Sequence, residues 1–130
     1  MASRIAPRGL TVLLVEDDEG VRRSLQLLLE WNGFDVRAHA LAGSAMKLAP
    51  ADYDLLVADY YLQDGDGIEL LAVLRRAGWP GRAVLITARV SDAVAELARE
   101  TGYHAVLEKP LARHELIAAL TEGPEGPGGA

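Results

Sequence analysis

Five side chains suited to phosphate or metal chemistry stand at or just after short apolar runs. Glu16 and Asp17 follow the first run, Asp59 ends the next, Thr87 follows a third, and Lys109 comes soon after the last. Three carboxylates held within a few ångströms repel one another and need a cation, and a hard divalent ion such as Mg²⁺ prefers oxygen ligands. A lysine ammonium is a compact charge suited to a phosphoryl group. Brought together, the five could transfer a phosphoryl group to Asp59, which would form an acyl phosphate.

The apolar runs that precede these residues predict buried strands. Residues 10–15 are β-branched or aliphatic, the segment 54–59 holds four apolar residues between two aspartates, and residues 83–86 are all apolar. These runs are too short for helices and are typical of a parallel sheet covered on both faces. Residues 34–38 alternate between apolar and polar, which predicts a strand nearer the sheet edge. Residues 105–107 add a fifth, short strand. The carboxylates, the hydroxyl and the ammonium therefore follow strand ends.

Five helices are predicted between and after the strands. Apolar residues recur at helical spacing around Val21–Leu28, Ile68–Leu74 and Val94–Ala98, and Ala-rich or aliphatic stretches cover Leu41–Ala49 and Leu111–Leu120. Asp18 and Ser91 are the expected N-caps of the first and fourth helices. Asn32-Gly33, Pro50, Gly78 and Gly102 are the expected stops of the first four.

Strands that alternate with helices indicate βαβ units with right-handed crossovers. We therefore predict an α/β domain: a flavodoxin-like doubly wound five-stranded parallel sheet, order 2-1-3-4-5, with five helices. In that order the first and third strands are neighbours, and the carboxyl ends of all strands share one rim. Glu16, Asp17, Asp59, Thr87 and Lys109 are thus expected to meet there.

The chain length is that of one domain. It has 130 residues and a mass of 13.9 kDa, and we expect the folded domain to span residues 10–121. Residues 1–9 contain Pro7 and Gly9 and are expected to form a flexible leader. Residues 122–130, rich in Gly and Pro, are expected to be a disordered tail or the start of a linker.

Composition argues against several partner classes. The formal net charge is −6 and the basic residues are scattered, so no nucleic-acid surface is expected on this domain. No apolar run approaches the ~20 residues that cross a bilayer, and the N-terminus has no signal-peptide core, so no membrane partner is expected. The absence of cysteine fits a reducing compartment. We predict a cytoplasmic protein.

Other motifs favour ordinary structural roles. Residues 64–67 alternate Asp and Gly, but the further ligands and closing Glu of a calcium loop are missing, so a turn with a helix cap is expected. His39, His104 and His114 fall on separate elements, which argues against a shared metal. No glycine-rich nucleotide loop occurs. Asp59 is not the first residue of an Asp-x-Asp pair, which argues against a hydrolase that acts on small phosphate esters.

Four segments together resemble the receiver domain of two-component response regulators. The segments are residues 13–18 (LLVEDD), 59–62 with the following Asp66-Gly67, 85–88 (LITA) and 108–111 (EKPL). Asp17, Asp59, Thr87 and Lys109 are separated by 42, 28 and 22 residues, as in that family. Each segment alone is weak, whereas four in order at these spacings are specific, and the resemblance covers about residues 10–121.

The resemblance implies a metal site and a phosphoacceptor. Glu16 and Asp17 would position Mg²⁺, with Asp17 the direct ligand, and the backbone carbonyl of Tyr61 would complete the site. Asp59 would accept the phosphoryl group and also face the metal. The domain would promote its own phosphorylation and dephosphorylation and would not be a turnover enzyme.

The resemblance also implies contacts for the phosphoryl group and a donor. Thr87 would hydrogen-bond the phosphoryl oxygens, Lys109 would pair with their charge, and the Lys109–Pro110 peptide would be cis. The donor would be a phosphohistidine of a histidine kinase or a histidine phosphotransfer domain. Because it must reach Asp59 in line, its helices are expected against the start of the first helix, near Gly20, Val21 and Ser24.

The sequence departs from the family on the output side. Val106 stands where an aromatic residue usually moves on activation, Leu111 replaces a common Phe after Lys-Pro, and Gln63 replaces a common Pro. We therefore expect a readout that depends less on the fourth helix, fifth strand and fifth helix than is usual. A receiver-like interaction module that works without phosphate remains an alternative. The downstream target and the oligomeric state stay open, a homodimer included.

Overall fold

The computed structural model describes residues 9–121 and has seven strands and five α-helices within that range. In chain order they are β1 (Thr11–Val15), α1 (Glu19–Trp31), β2 (Asp35–His39), α2 (Ala42–Ala45), β3 (Leu55–Asp59), β4 (Tyr61–Leu62), β5 (Gly65–Asp66), α3 (Gly67–Arg76), β6 (Arg82–Thr87), α4 (Asp92–Thr101), β7 (Ala105–Glu108) and α5 (Arg113–Thr121). The predicted tail and, apart from Gly9, the predicted leader lie outside the described residues.

The main sheet has five parallel strands in the order β2-β1-β3-β6-β7. This confirms the predicted doubly wound arrangement and places the first and third strands side by side. The three central strands are the continuous apolar runs, and from Val12 to Val15 and throughout β3 every residue is buried. The alternating segment is edge strand β2, which is only partly buried. Strand position thus follows the hydrophobic pattern.

Two apolar layers cover the two faces of the sheet. On one face Leu13, Leu56 and Leu85 pack with Leu70 and Leu74 of α3 and with residues of α2 and α4. On the other, alternate residues of the same strands pack against α1 and α5. Each central strand therefore contributes side chains to both layers, which fixes its register. Among residues 9–121, no helix is long and apolar enough to cross a membrane.

The predicted N-caps are in place. Asp18 Oδ1 accepts a hydrogen bond from the Val21 amide at 2.9 Å, and Ser91 Oγ accepts one from the Val94 amide at 3.1 Å. Each satisfies a backbone donor that the first helical turn leaves unpaired. Helix α4 ends at Gly102, whose φ of 118° is a left-handed conformation that glycine adopts without strain.

The segment between β2 and β3 differs from its prediction. The expected helix Leu41–Ala49 is reduced to Ala42–Ala45, followed by turns and a 3₁₀ helix at Pro50–Asp52. Gly43 and Ser44 are poor helix formers, and the N-cap residue Leu41 supplies no side-chain cap. The start of α2 is held instead by Asp64, whose carboxylate accepts the amides of Ala42 (2.8 Å) and Gly43 (2.9 Å).

The predicted loop after β3 contains a small hairpin. Tyr61 pairs with Asp66 and Leu62 with Gly65 in antiparallel fashion. The expected turn and helix cap are confirmed, because Asp66 Oδ1 accepts the Glu69 amide at 2.8 Å at the start of α3. The hairpin therefore leads directly from the end of β3 into a capped helix.

Gly67 provides a test of how tightly α3 is fitted to β3. A Cβ at this position would lie 2.6 Å from Leu85 Cδ1 and 2.7 Å from the Asp59 carbonyl oxygen. We expect Gly67→Ala to lower the free energy of unfolding by about 1–3 kcal/mol, because backbone must move. The measurement is urea denaturation at neutral pH.

Gly20, also in the first turn of a helix, is the matched control. A Cβ there meets only Asp18 Oδ1 at an ordinary 3.5 Å. Gly20→Ala should leave stability unchanged or raise it by up to about 1 kcal/mol, because alanine favours helix. Equal losses in the two variants would refute the close fit at Gly67.

Candidate functional site

Four parallel strands deliver the predicted residues to one rim of the sheet. Val15 pairs with Ala58, so Glu16 and Asp59 each stand one residue beyond that pair. Asp59 in turn pairs with Ile86, the residue before Thr87. Thr87 pairs with Glu108, the residue before Lys109. Strand register alone therefore aligns the ends of β1, β3, β6 and β7.

The shortest polar contacts in this rim are made by Lys109. Its ammonium donates to Asp59 Oδ2 at 2.6 Å and to Glu16 Oε1 at 3.0 Å. Glu16 is 1% exposed and Asp59 is 5% exposed, whereas the lysine side chain is 22% exposed. Hydrogen bonds between charged groups that are partly shielded from water are stronger than neutral ones. Lys109 thus holds two strand ends together.

Glu16 is a buried carboxylate fixed from several sides. Oε2 accepts the Asp18 amide at 3.1 Å, and the Arg22 guanidinium donates to the Glu16 backbone carbonyl at 2.9 Å. Burial raises the pKa of Glu16, and the charge of Asp59 adds to this, although the hydrogen bonds from Lys109 and Asp18 oppose it. A further positive charge nearby would therefore stabilise the ionised form of Glu16.

The pKa of Lys109 is also raised, but here burial opposes the shift. Burial would lower the pKa of the ammonium, but the hydrogen bonds to Asp59 and Glu16 and their charges outweigh burial, so the pKa is raised. The ammonium stays protonated and available as a charge partner throughout the neutral range.

The rim also offers a set of ligands for a metal ion. One carboxylate oxygen from each of Glu16, Asp17 and Asp59 lies within 4.8 Å of the others, and Asp17 is exposed. Three carboxylates and one ammonium leave an excess of negative charge, since a single lysine cannot neutralise all three. All donors are oxygens, the ligand type of hard divalent cations. The residues present therefore fit a divalent metal.

Tyr61 contacts Asp59 through its backbone. The Tyr61 amide donates to Asp59 Oδ1 at 3.2 Å, while its side chain is 66% exposed and meets the Tyr60 ring edge-on at 4.7 Å. The Gly67 amide donates to the Tyr60 carbonyl at 2.9 Å and closes the hairpin at its base. The backbone at residue 61 is thus held beside the aspartate.

Thr87 is fully buried at the end of β6. Its hydroxyl donates to the Arg89 carbonyl at 3.3 Å and accepts the Arg89 amide at 3.4 Å, so it faces the loop after the strand. The Lys109 amide donates to the Thr87 carbonyl at 2.8 Å, and the Lys109–Pro110 peptide is cis, as the resemblance implied.

Comparison with known proteins agrees with this geometry. Residues 12–121 match the family model of the response regulator receiver domain. The chain belongs to the response regulator receiver domain family. Receiver domains are signalling domains, and the predicted class is confirmed.

Several characterised relatives are longer proteins. The receiver domain is 35% identical over 114 residues to the swarming motility regulation protein RssB of Serratia marcescens, covering 85% of this chain and 51% of the relative. It is 36% identical over 111 residues to the KDP operon transcriptional regulatory protein KdpE of Escherichia coli, covering 84% and 48%. The chain spans about half the length of these relatives.

A solved structure resembles the receiver domain closely in fold. It is a response regulator from Burkholderia pseudomallei described with a phosphorylated aspartic acid, a calcium ion and citrate. The TM-score is 0.78 at 29% identity, with 85% of this chain and 66% of that chain covered.

The structure adds three contacts that the sequence did not predict. Arg22 fastens α1 to the end of β1, Asp64 fastens the hairpin to α2, and the Tyr103 hydroxyl donates to the Gly67 carbonyl at 2.7 Å. The first two bridge 6 and 22 residues and carry no local motif. A tyrosine just before an apolar strand was the only sign of the third.

Val106 is half-buried against the same apolar layer as Tyr103.

The ion pairs of Lys109 are expected to contribute to the free energy of unfolding of the domain. In buffer free of divalent ions, we expect Lys109→Met to lower the free energy of unfolding by roughly 1–3 kcal/mol, because two buried carboxylates lose their counter-charge. The value is below that of a fully buried pair because Lys109 is partly exposed. Urea denaturation measures the change.

Lys47, the other lysine, is exposed and serves as the control. Lys47→Met should change stability by less than about 0.5 kcal/mol. Adding Glu16→Gln to Lys109→Met should restore part of the loss, since one of the stranded charges is removed. A Lys109→Met variant as stable as the wild type would show that the ion pairs contribute nothing.

Proposed function

We propose that Asp59 accepts a phosphoryl group from a phosphohistidine, carried by a histidine kinase or a histidine phosphotransfer domain, with Mg²⁺ as the metal. The observation that carries the proposal is the buried Asp59 carboxylate, 2.6 Å from the Lys109 ammonium and clustered with two further acids. The domain promotes its own phosphorylation and dephosphorylation and then changes its partner contacts. It does not turn over a separate substrate.

In the transfer, an Asp59 carboxylate oxygen attacks the phosphorus in line with the nitrogen that leaves. The new O–P bond forms as the N–P bond breaks, and the electron pair returns to the imidazole of the donor, which keeps its proton on the other ring nitrogen or gains one from water. Little covalent help is needed, so the domain acts by positioning and by stabilising charge. Asp59 is already fixed by Lys109 and by the Tyr61 amide.

Glu16, Asp17 and Asp59, together with the Tyr61 carbonyl, would hold the metal. Bound Mg²⁺ supplies positive charge to the phosphoryl oxygens and cancels the repulsion among the carboxylates. The similar Burkholderia structure, described with both a phosphorylated aspartate and a calcium ion, supports a divalent cation at such a site.

Lys109 and Thr87 act on the transferred group. The ammonium donates to Asp59 Oδ2 and can donate instead to a phosphoryl oxygen once Asp59 carries the phosphoryl group. The Thr87 hydroxyl needs to turn from its long contacts with Arg89, at 3.3 and 3.4 Å, to donate to another phosphoryl oxygen. Because these contacts are long and weak, rotating the hydroxyl away from them costs little free energy.

Mass spectrometry of the intact protein tests the acceptor. With Mg²⁺ and acetyl phosphate the wild type should gain the mass of one phosphoryl group, and Asp59→Asn should gain none. Asp35→Asn is the control, because Asp35 is an exposed acid that begins β2, at the opposite edge of the sheet. Retention of the gain in Asp59→Asn would refute the acceptor. No gain in the wild type would favour the interaction module that works without phosphate.

A groove beside the site suits the donor. It has a volume of about 950 Å³ and lies between α1 and the segment before α5, and its lining residues include both Lys109 and Trp31. Val21 and Ser24, near which the donor was predicted to dock, line it. Trp31 is 83% exposed. An apolar groove lined by Lys109, whose ammonium lies 2.6 Å from Asp59 Oδ2, fits the apolar face of a donor helix.

Val21→Glu tests this docking surface. We expect phosphotransfer from a histidine kinase that phosphorylates the wild type to slow by about tenfold, since a charge would be buried against an apolar helix. Phosphorylation by acetyl phosphate, which needs no docking, should stay unchanged.

Leu97→Glu is the matched control, because Leu97 is 45% exposed on α4 and lies outside the groove lining. It should leave both rates as they are. An unchanged kinase rate in Val21→Glu, or an equal slowing in Leu97→Glu, would contradict the proposed docking surface.

A further inference from the structure

Tyr103 makes a polar contact deep in the apolar layer beneath the site. The residue is 5% exposed and packs in the cluster formed by α2, α3, α4 and one face of the sheet. Its hydroxyl donates to the carbonyl of Gly67, the first residue of α3, at 2.7 Å. A buried phenol that spans 36 residues to reach one backbone carbonyl fixes that carbonyl in place.

Gly67 is in direct contact with the phosphoacceptor strand. Its backbone approaches the Asp59 carbonyl so closely that a Cβ would lie 2.7 Å from that oxygen. Its amide donates to the Tyr60 carbonyl at 2.9 Å and closes the hairpin on which Tyr61 sits. A shift of Gly67 would therefore move the backbone that directly follows the Asp59 side chain, at the Asp59 and Tyr60 carbonyls.

The other end of Tyr103 is anchored. Its amide donates to the Ala98 carbonyl at 2.9 Å at the end of α4. The Arg75 guanidinium donates to the neighbouring Gly102 carbonyl at 3.0 Å. Burial, with a smaller effect from the charge of Asp66, raises the pKa of Tyr103, so the phenol keeps its proton and remains a donor.

We propose that Tyr103 is a positioning residue for phosphoryl acceptance: through Gly67 it holds the 59–67 segment, and with it Asp59 and the Tyr61 carbonyl, in the geometry that binds metal and phosphoryl group. The inference rests on the proposed function of Asp59. It gives this receiver domain an aromatic link between the site and the α4–β7 connection although position 106 is valine.

Tyr53 is a matched control for the loss of the Tyr103 hydroxyl. It is a tyrosine in the same apolar cluster, 3% exposed, and within residues 9–121 its buried hydroxyl has no hydrogen-bond partner. Tyr103→Phe and Tyr53→Phe therefore delete the same atom from the same layer. Only the first deletes a bond to the segment that carries Asp59.

The experiment measures the Kd for Mg²⁺ and the rate of phosphorylation of Asp59 by acetyl phosphate, far below the Tm of each variant. In Tyr103→Phe we expect Mg²⁺ binding to weaken and phosphorylation to slow, each by about two- to tenfold, the value of one hydrogen bond. In Tyr53→Phe both should change by less than about twofold. Unchanged values in Tyr103→Phe, or equal changes in the two variants, would overturn the proposal.

A second measurement needs no substitution that could unfold the protein. In wild-type protein labelled with 3-fluorotyrosine, addition of Mg²⁺ and beryllofluoride should shift the fluorine resonance of Tyr103 and leave that of Tyr53 in place. A Tyr103 resonance that does not move would also overturn the proposal. If the wild type gains no phosphoryl group but Mg²⁺ binding still weakens in Tyr103→Phe, the proposed function fails and the positioning role stands.

Discussion

The repulsion among three acids at one sheet rim is the constraint on which the rest of this site depends. β1 and β3 are neighbours, so the buried acids Glu16, which follows β1, and Asp59, which ends β3, lie close together, and the exposed Asp17 stands beside them. Lys109 relieves part of the repulsion by donating to Glu16 and Asp59 at 3.0 and 2.6 Å. One ammonium cannot balance three carboxylates, so the rim of the folded domain keeps an excess of negative charge. This excess negative charge suits the rim to a divalent cation, which a single internal salt bridge does not replace.

The positions of these groups are set by backbone, not by the side chains themselves. Glu16, Asp59, Thr87 and Lys109 are each within one or two residues of a parallel strand whose register is fixed by apolar packing on both faces. Gly67 then allows α3 to approach the Asp59 carbonyl more closely than any side chain would permit. Such a frame positions charged groups without relying on flexible loops, which favours a site that must act on a small group in line.

These features divide into those that sequence predicts and those that it does not. The central strands were predictable because continuous aliphatic runs have few alternatives, and the caps at Asp18, Asp66 and Ser91 because a short polar side chain before a helix has a local role. Helix α2 was predicted too long because Gly43 and Ser44 disfavour a helix, and the contact that holds its start comes from Asp64, 21 and 22 residues away, which no local pattern indicates. The Tyr103–Gly67 bond was missed for the same reason: its two ends share no local pattern. Sequence thus located the proposed site residues at the rim, while the contacts that support them depend on tertiary structure.

The two ion pairs of Lys109 in the resting rim would also limit the response to phosphorylation. A phosphoryl group on Asp59 would compete with the carboxylates of Asp59 and Glu16 for the Lys109 ammonium, so the phosphorylated form would be stabilised only by the difference between the new and the old contacts. Thr87 differs, since its resting bonds to Arg89 are long and little is lost when they break. With valine at position 106, no aromatic ring is available there to fill the space that a turning Thr87 leaves. Under the proposed function, the conformational change would travel through backbone that contacts Asp59, and the hydrogen bond from Tyr103 to Gly67 connects this backbone with the end of α4.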